Sequence, residues 1–157
     1  MTRSPQSSRP HMPGYGITPS RKGLLPWKWA VDRLTKSHNY WIATTRADGR
    51  PHCVGVWGIW SAGHFYFSSG AESMKSRNLR KQPYCVICTE NAAQPVILEG
   101  SAQLLTEPPN FRLRGAYKKK YKYDLDPAMG PIFVLEPKVA FGLVEYKMQK
   151  TATRWKF

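Results

Sequence analysis

Acid is in short supply in this chain: ten Asp and Glu stand against 24 Lys and Arg in 157 residues, a formal net charge of +14. That surplus exceeds what solubility needs and points to a bound anion. Long apolar runs are absent too, since no stretch approaches the ~20 residues of a membrane helix. The N-terminal MTRSPQSSRPHMPGYG has no apolar core of a secretory signal, so a cytoplasmic location is expected. Cysteine is scarce. Cys53, Cys85 and Cys88 are an odd set inside strand-like runs, which argues against a disulfide framework and for reduced, buried thiols. Cys85 and Cys88 form a C-x-x-C, but no second pair completes a zinc tetrahedron and residues three apart on a strand face opposite ways, so no metal is expected. Neither G-x-G-x-x-G, a Walker loop, H-E-x-x-H nor G-x-S-x-G occurs. The four histidines, His11, His38, His52 and His64, are scattered without a matched carboxylate. Protein-only acid–base chemistry thus has little support, which leaves a cofactor enzyme or a binder.

What is present is aromatic and β-rich. Residues 1–24 hold four prolines and little periodicity, and read as an extended arm before one domain at 25–157. Trp27, Ala30, Val31 and Leu34 recur with helical spacing after Pro26, predicting an amphipathic helix that ends near Ser37. Two β-rich runs, NYWIATTR and PHCVGVWGIW, flank a D-G turn, and a second turn at Ser61-Ala62-Gly63 leads into HFYFSS. Three strands in a meander are expected there. A short helix opened by Ser73 and stopped by Pro83 follows, then strands YCVICTE and VILEGSAQLL, and a basic helix over 108–123 initiated by proline. IFVLEP, VAFGLVEYKM and TATRWKF close the chain as three more strand-like runs. Six or seven short strands with two or three helices predict a mainly β fold, a β-barrel with peripheral helices, and not a βαβ sheet. At this point the anion is open: a phosphorylated cofactor, nucleic acid tracked by a basic surface with 13% aromatics, or no specific partner.

The stretch 48–79 narrows the choice. Gly49-Arg50-Pro51 opens a strand carrying Val54, Gly55, Val56, Trp57, Gly58 and Ile59; Ser68 and Ser69 end the next; Ser73-Met74-Lys75 opens a helix closed by Gln82-Pro83. This order resembles the pyridoxamine-phosphate-oxidase-like family of FMN-binding split barrels. The resemblance implies a split β-barrel homodimer holding FMN, or the deazaflavin coenzyme F-420, between subunits and passing hydride to a small organic substrate. It also implies cofactor contacts from Val54, Gly55, Val56 and Trp57 and a phosphate cradle of Ser68, Ser69, Ser73, Met74 and Lys75 at a helix start, where free N–H groups and the dipole favour an anion. Arg154 and Trp155 would reach the partner's cofactor, Trp155 alternatively stapling the last strand. Trp60, Tyr117 and Tyr121 would line the substrate space beside Trp57.

Departures qualify the likeness. Val54 and Ile59 stand where true pyridoxamine phosphate oxidases carry cations, and Pro95 where they carry a flavin-contacting glutamine. Activity on pyridoxamine phosphate is therefore not expected. The resemblance extends to deazaflavin-dependent reductases, and Lys118, Lys119, Lys120 and Lys122 with Arg77, Arg80 and Lys81 would suit that cofactor's polyanionic tail. The alternatives are a flavin- or deazaflavin-binding protein without turnover, a haem binder using His38, His52 or His64, and, less favoured, a nucleic-acid binder.

Overall fold

The β-rich runs do form strands, but their pairing partners are far apart in sequence. A computed structural model describes residues 4–157; residues 1–3 of the expected arm lie outside the described residues. Strands are β1 (Gln6–Ser8), β2 (Tyr40–Thr45), β3 (Pro51–Val56), β4 (Gly58–Ser61), β5 (His64–Ser68), β6 (Tyr84–Thr89), β7 (Val96–Leu104), β8 (Ile132–Gly142) and β9 (Thr153–Lys156). Helices are α1 (Trp27–Lys36), α2 (Met74–Lys81), α3 (Phe111–Tyr121) and α4 (Met148–Thr151). The described residues thus hold more elements than the short runs suggested. All strand pairing is antiparallel: β3-β2-β6-β7-β8 run side by side, and β8 then pairs β5 with its first half and β9 with its second. β5 carries β4, and β4 continues from β3 through Trp57 alone. The result is a split β-barrel whose ladder is not closed by hydrogen bonds; the chain itself closes it at Trp57.

Three expectations are corrected by this topology. The run PHCVGVWGIW is not one strand of a meander but two, because Gly58 packs where a Cβ would sit 2.2 Å from the Phe65 ring, and the chain bends to bring it there. IFVLEP and VAFGLVEYKM are not separate strands: β8 runs through Pro137, opposite Gly100 at a register shift, where a bulge tolerates a residue without an N–H. Residues after Gly142 turn helical instead. The helix over 108–123 is capped by Asn110, whose side chain accepts from Leu113 N at 3.0 Å, and not by the prolines before it.

The core follows the period-two pattern. Tyr40 and Ile42, Phe65 and Phe67, Ile87, Leu98 and Leu135 point inward, each fully buried, and each contributes roughly 1.5–3 kcal/mol by leaving water. Leu34 and Ala30 of α1 cap one end of this core. Leu113, Tyr117 and Tyr121, one stripe of α3, seal a second cluster with Ile59 and Ile132. Residues 4–24 dock along the barrel edge: β1 pairs β9, and Arg9 donates to the carbonyls of Ala152, Ser20 and Lys22. Cys85 is buried and its thiol is pushed up to about 12, whereas Cys53 is exposed, contrary to the expectation that all three thiols are buried. No helix among the described residues is long and apolar enough to cross a membrane.

Candidate functional site

Where β3 bends into β4, the chain leaves an open cleft of about 570 Å³, lined by Asn39, Gly55, Val56, Trp57, Ser68, Ser69, Gly70, Lys75, Tyr117 and Met129. Its walls differ chemically. One is built from the end of β5 and the start of α2. Ser73 caps α2, its hydroxyl accepting from Ser76 N at 3.3 Å, and the hydroxyls of Ser69, Ser73 and Ser76 lie 2.7–3.1 Å from one another. The three hydroxyls carry three hydrogens, shared among the three contacts of the ring and the Gly70 carbonyl, so Ser69 donates to an acceptor in the cleft by giving up one of these bonds. Lys75 lies beside them. Its ammonium is half-buried, is held below the ordinary lysine value by burial, and forms no salt bridge among the described residues. A desolvated cation without a counter-ion is costly unless a ligand supplies the negative charge.

The opposite wall is aromatic. Trp57, 39% exposed, stacks on Tyr121 with ring centroids 4.6 Å apart and planes within 10°. Tyr121 is held in turn: its hydroxyl accepts from Gly58 N at 2.8 Å and lies 2.8 Å from the His38 carbonyl. Tyr117 packs on Tyr121 at 4.8 Å. Glu90 fixes the rim, accepting from His38 N at 2.9 Å and from the Asn39 side chain at 3.1 Å, and these donors hold its carboxyl below the ordinary range. Met129, 82% exposed, stands at the mouth on a short 3-10 turn that the Ser69 N–H ties down through the Pro131 carbonyl, 3.1 Å away.

The cleft collects many, not all, of the residues singled out above. Gly55, Val56, Trp57, Ser68, Ser69, Lys75 and Tyr117 line it, and Tyr121 backs it. Val54 packs against the core instead. Ser73 works behind Ser69, and Met74 faces a separate groove. Two expectations are corrected. Trp60 meets Trp27 of α1 edge-on at 5.9 Å and is not in the substrate space. Trp155 is wholly buried, stacked on Trp29 at 6.4 Å and edge-on to Trp27 at 5.4 Å, so its ring is spent on its own core, as the stapling alternative has it; Arg154 beside it is half-exposed. Asn39, Gly70 and Met129 were missed. Asn39 and Gly70 abut residues that were picked, but nothing local marks Met129.

The basic run also divides. Lys118 pairs with Asp124 at 2.9 Å, Lys122 donates to the Lys119 carbonyl, and Lys120 turns inward, so the run does not form one continuous anion groove. Arg46, Arg50, Arg77, Arg80 and Lys81 instead gather around a groove of about 430 Å³ between α2 and the β2–β3 turn, with Asp48 its one acid, already paired to Arg50.

The sequence pattern described as pyridoxamine 5'-phosphate oxidase matches residues 28–143. No curated protein matches the chain. Among solved structures, a conserved hypothetical protein from Mycobacterium tuberculosis superposes with a TM-score of 0.69 at 21% identity, covering 82% of this chain and 90% of that one. A structure described as an F420 reductase gives 0.57 at 19% identity, over 78% and 98%. A heme-binding protein from Mycobacterium smegmatis gives 0.61 at 20%, over 78% of this chain and 56% of that one. At these identities the likeness is one of fold.

Proposed function

The chain belongs to the pyridoxamine 5'-phosphate oxidase family, and from that membership we propose that it is a flavin-type oxidoreductase, binding FMN or the deazaflavin F-420 in the cleft and passing hydride between it and a small organic substrate. The observation that carries this reading is Lys75: a half-buried cation with no salt-bridge partner among the described residues, beside the Ser69 hydroxyl and across from the Trp57 and Tyr117 rings. One wall suits a phosphate and the other a flat aromatic ring system. The donor set fits either cofactor.

When bound, the ring system supplies the hydride chemistry. This chain's residues bind and orient it. Among the residues lining the cleft, Lys75 and Ser69 would hold the phosphate, the Gly55–Trp57 backbone would contact the ring system, and Trp57 with Tyr117 would exclude water from a planar, apolar substrate. The cationic groove beside α2 would take the deazaflavin's polyanionic tail, the role first assigned to the run at 118–122. The protein would work as a homodimer with the cofactor between subunits, because Gly55 of the cleft belongs to the outer sheet face on which the exposed Trp41 stands.

The test is the visible spectrum of the purified chain, followed by titration of the cofactor-free protein with FMN and F-420. A flavin peak pair, a single deazaflavin band, or micromolar binding of either supports the reading. A Soret band, matching the heme-binding neighbour, or binding of neither cofactor overturns it.

A further inference from the structure

We infer that Lys120 is a positioning residue of the cleft: from behind the aromatic wall it fixes the Val56–Gly58 corner, and with it the backbone and the Trp57 ring against which a bound cofactor lies. The inference rests on reading the cleft as the cofactor site. Lys120 and Tyr121 are consecutive on α3, and both reach Gly58. The Lys120 ammonium donates to the Gly58 carbonyl at 3.1 Å and to the Tyr40 hydroxyl at 2.7 Å, while the Tyr121 hydroxyl accepts from Gly58 N at 2.8 Å. Tyr40 is the residue of β2 that faces Val56 across the ladder, and its own hydroxyl donates to the Leu34 carbonyl. Lys120 therefore joins the last rung of β2 and β3 to the first residue of β4, at the one place where the barrel has no ladder of its own.

The environment is an expensive one for an ammonium. Lys120 makes no salt bridge among the described residues, and its charge is met by the faces of Tyr40 and Tyr121 at 4.7 and 5.3 Å. Burial lowers its pKa to about 8, with Glu90 opposing the shift. The groups facing it are Tyr40 from β2, Tyr121 from α3 and, more distantly, Glu90 after β6. An apolar side chain would fill this space at less desolvation cost, so what the lysine adds is the two directed N–H bonds. They matter to a ligand because Trp57, one residue before Gly58, lies on Tyr121, one residue after Lys120.

The test uses the whole chain as wild type, Lys120→Met, Lys120→Arg and Lys75→Ala, each titrated with FMN and with F-420. Lys120→Met should weaken the tighter-binding cofactor about tenfold, the scale of a hydrogen bond to a charged donor. Lys120→Arg should restore most of that loss. Lys75→Ala, which touches the ligand directly, should weaken binding too. Unchanged binding in Lys120→Met with weakened binding in Lys75→Ala overturns the inference and leaves the cofactor site standing; unchanged binding in both overturns the site itself. If Lys120→Met does not fold, the wild type grown with 5-fluorotryptophan decides. Its Trp57 fluorine resonance, assigned with Trp57→Phe, should move as Lys120 loses its proton near pH 8, and should move equally in His38→Gln, which lacks the imidazole 6.4 Å from Trp57. A Trp57 resonance that holds still through that range overturns the inference.

Discussion

Trp41 on β2 stands directly across the ladder from Gly55 on β3, so an indole 53% exposed has as its neighbour a residue with no side chain, on the same sheet face as the cleft. Large aromatics left in the open on a sheet are characteristic of interfaces. Light scattering at micromolar concentration should give a dimer mass, and Trp41→Arg should shift it toward monomer with weakened cofactor binding. A wild-type monomer would contradict the proposed assembly.

Lys75 carries the second prediction. Replacing it with Ala should weaken FMN or F-420 by roughly 1–3 kcal/mol, as expected for a charge-assisted bond to phosphate. Because burial lowers its pKa, the cation is lost at lower pH than an ordinary lysine. Affinity should therefore be full at neutral pH and fall on the alkaline side, and the fall should be shallower in Lys75→Ala, which keeps only the part that Lys120 causes. Fluorescence titration across that range checks both.

A third prediction concerns glycines that look alike in sequence. A Cβ on Gly100 would sit 2.1 Å from the Glu136 carbonyl oxygen, whereas one on Gly115 of α3 meets nothing within 4 Å. Gly100→Ala should lower the urea midpoint sharply or prevent folding. Gly115→Ala should raise stability by about 0.5–1 kcal/mol, the helix preference of Ala over Gly.

The burial of Cys85 gives a pH signature for the fold. Its thiol is pushed up to about 12 in the folded chain, against about 8.5 in an unfolded one, so only the unfolded state ionises between those values. That group's contribution is complete below about pH 8.5 and declines as pH rises. Melting curves of wild type against Cys85→Ala should therefore converge at alkaline pH. A gap that stays constant would remove the thiol from the account.

Trp155 supplies the last. Fully buried between Trp27 and Trp29, it should cost about 3–5 kcal/mol as Trp155→Ala in urea unfolding, with cofactor affinity unchanged where the chain still folds. A variant of wild-type stability that has lost the cofactor would restore the role in a partner's site.

Local signals carried much of this molecule into the sequence reading and stopped where distant residues decide. The D-G turn, the Ser73 cap and the alternating apolar runs are short-range chemistry, and they placed β2, β3, β5, α2 and most of the cleft. The break at Trp57 was not visible, because what forces it is the Phe65 ring against Gly58, a contact between strands. Nor does a run of lysines say which one turns inward. Lys118 and Lys120 differ only in what lies over them: Asp124 for one, Tyr40 and Gly58 for the other. Trp155 misled for the same reason, since an aromatic at a chain end reads alike whether it reaches out or folds back.

The pairing of β8 with β5 has a consequence for how the protein is made. β5 is translated early, yet the strand that covers its edge comes only after α2, β6, β7 and α3. Until then the β4–β5 hairpin carries an open edge with Phe65 and Phe67 on it, the kind of surface that recruits other chains. Ribosome-bound chains stopped before residue 132 should be the ones a chaperone holds, and release should coincide with emergence of β8.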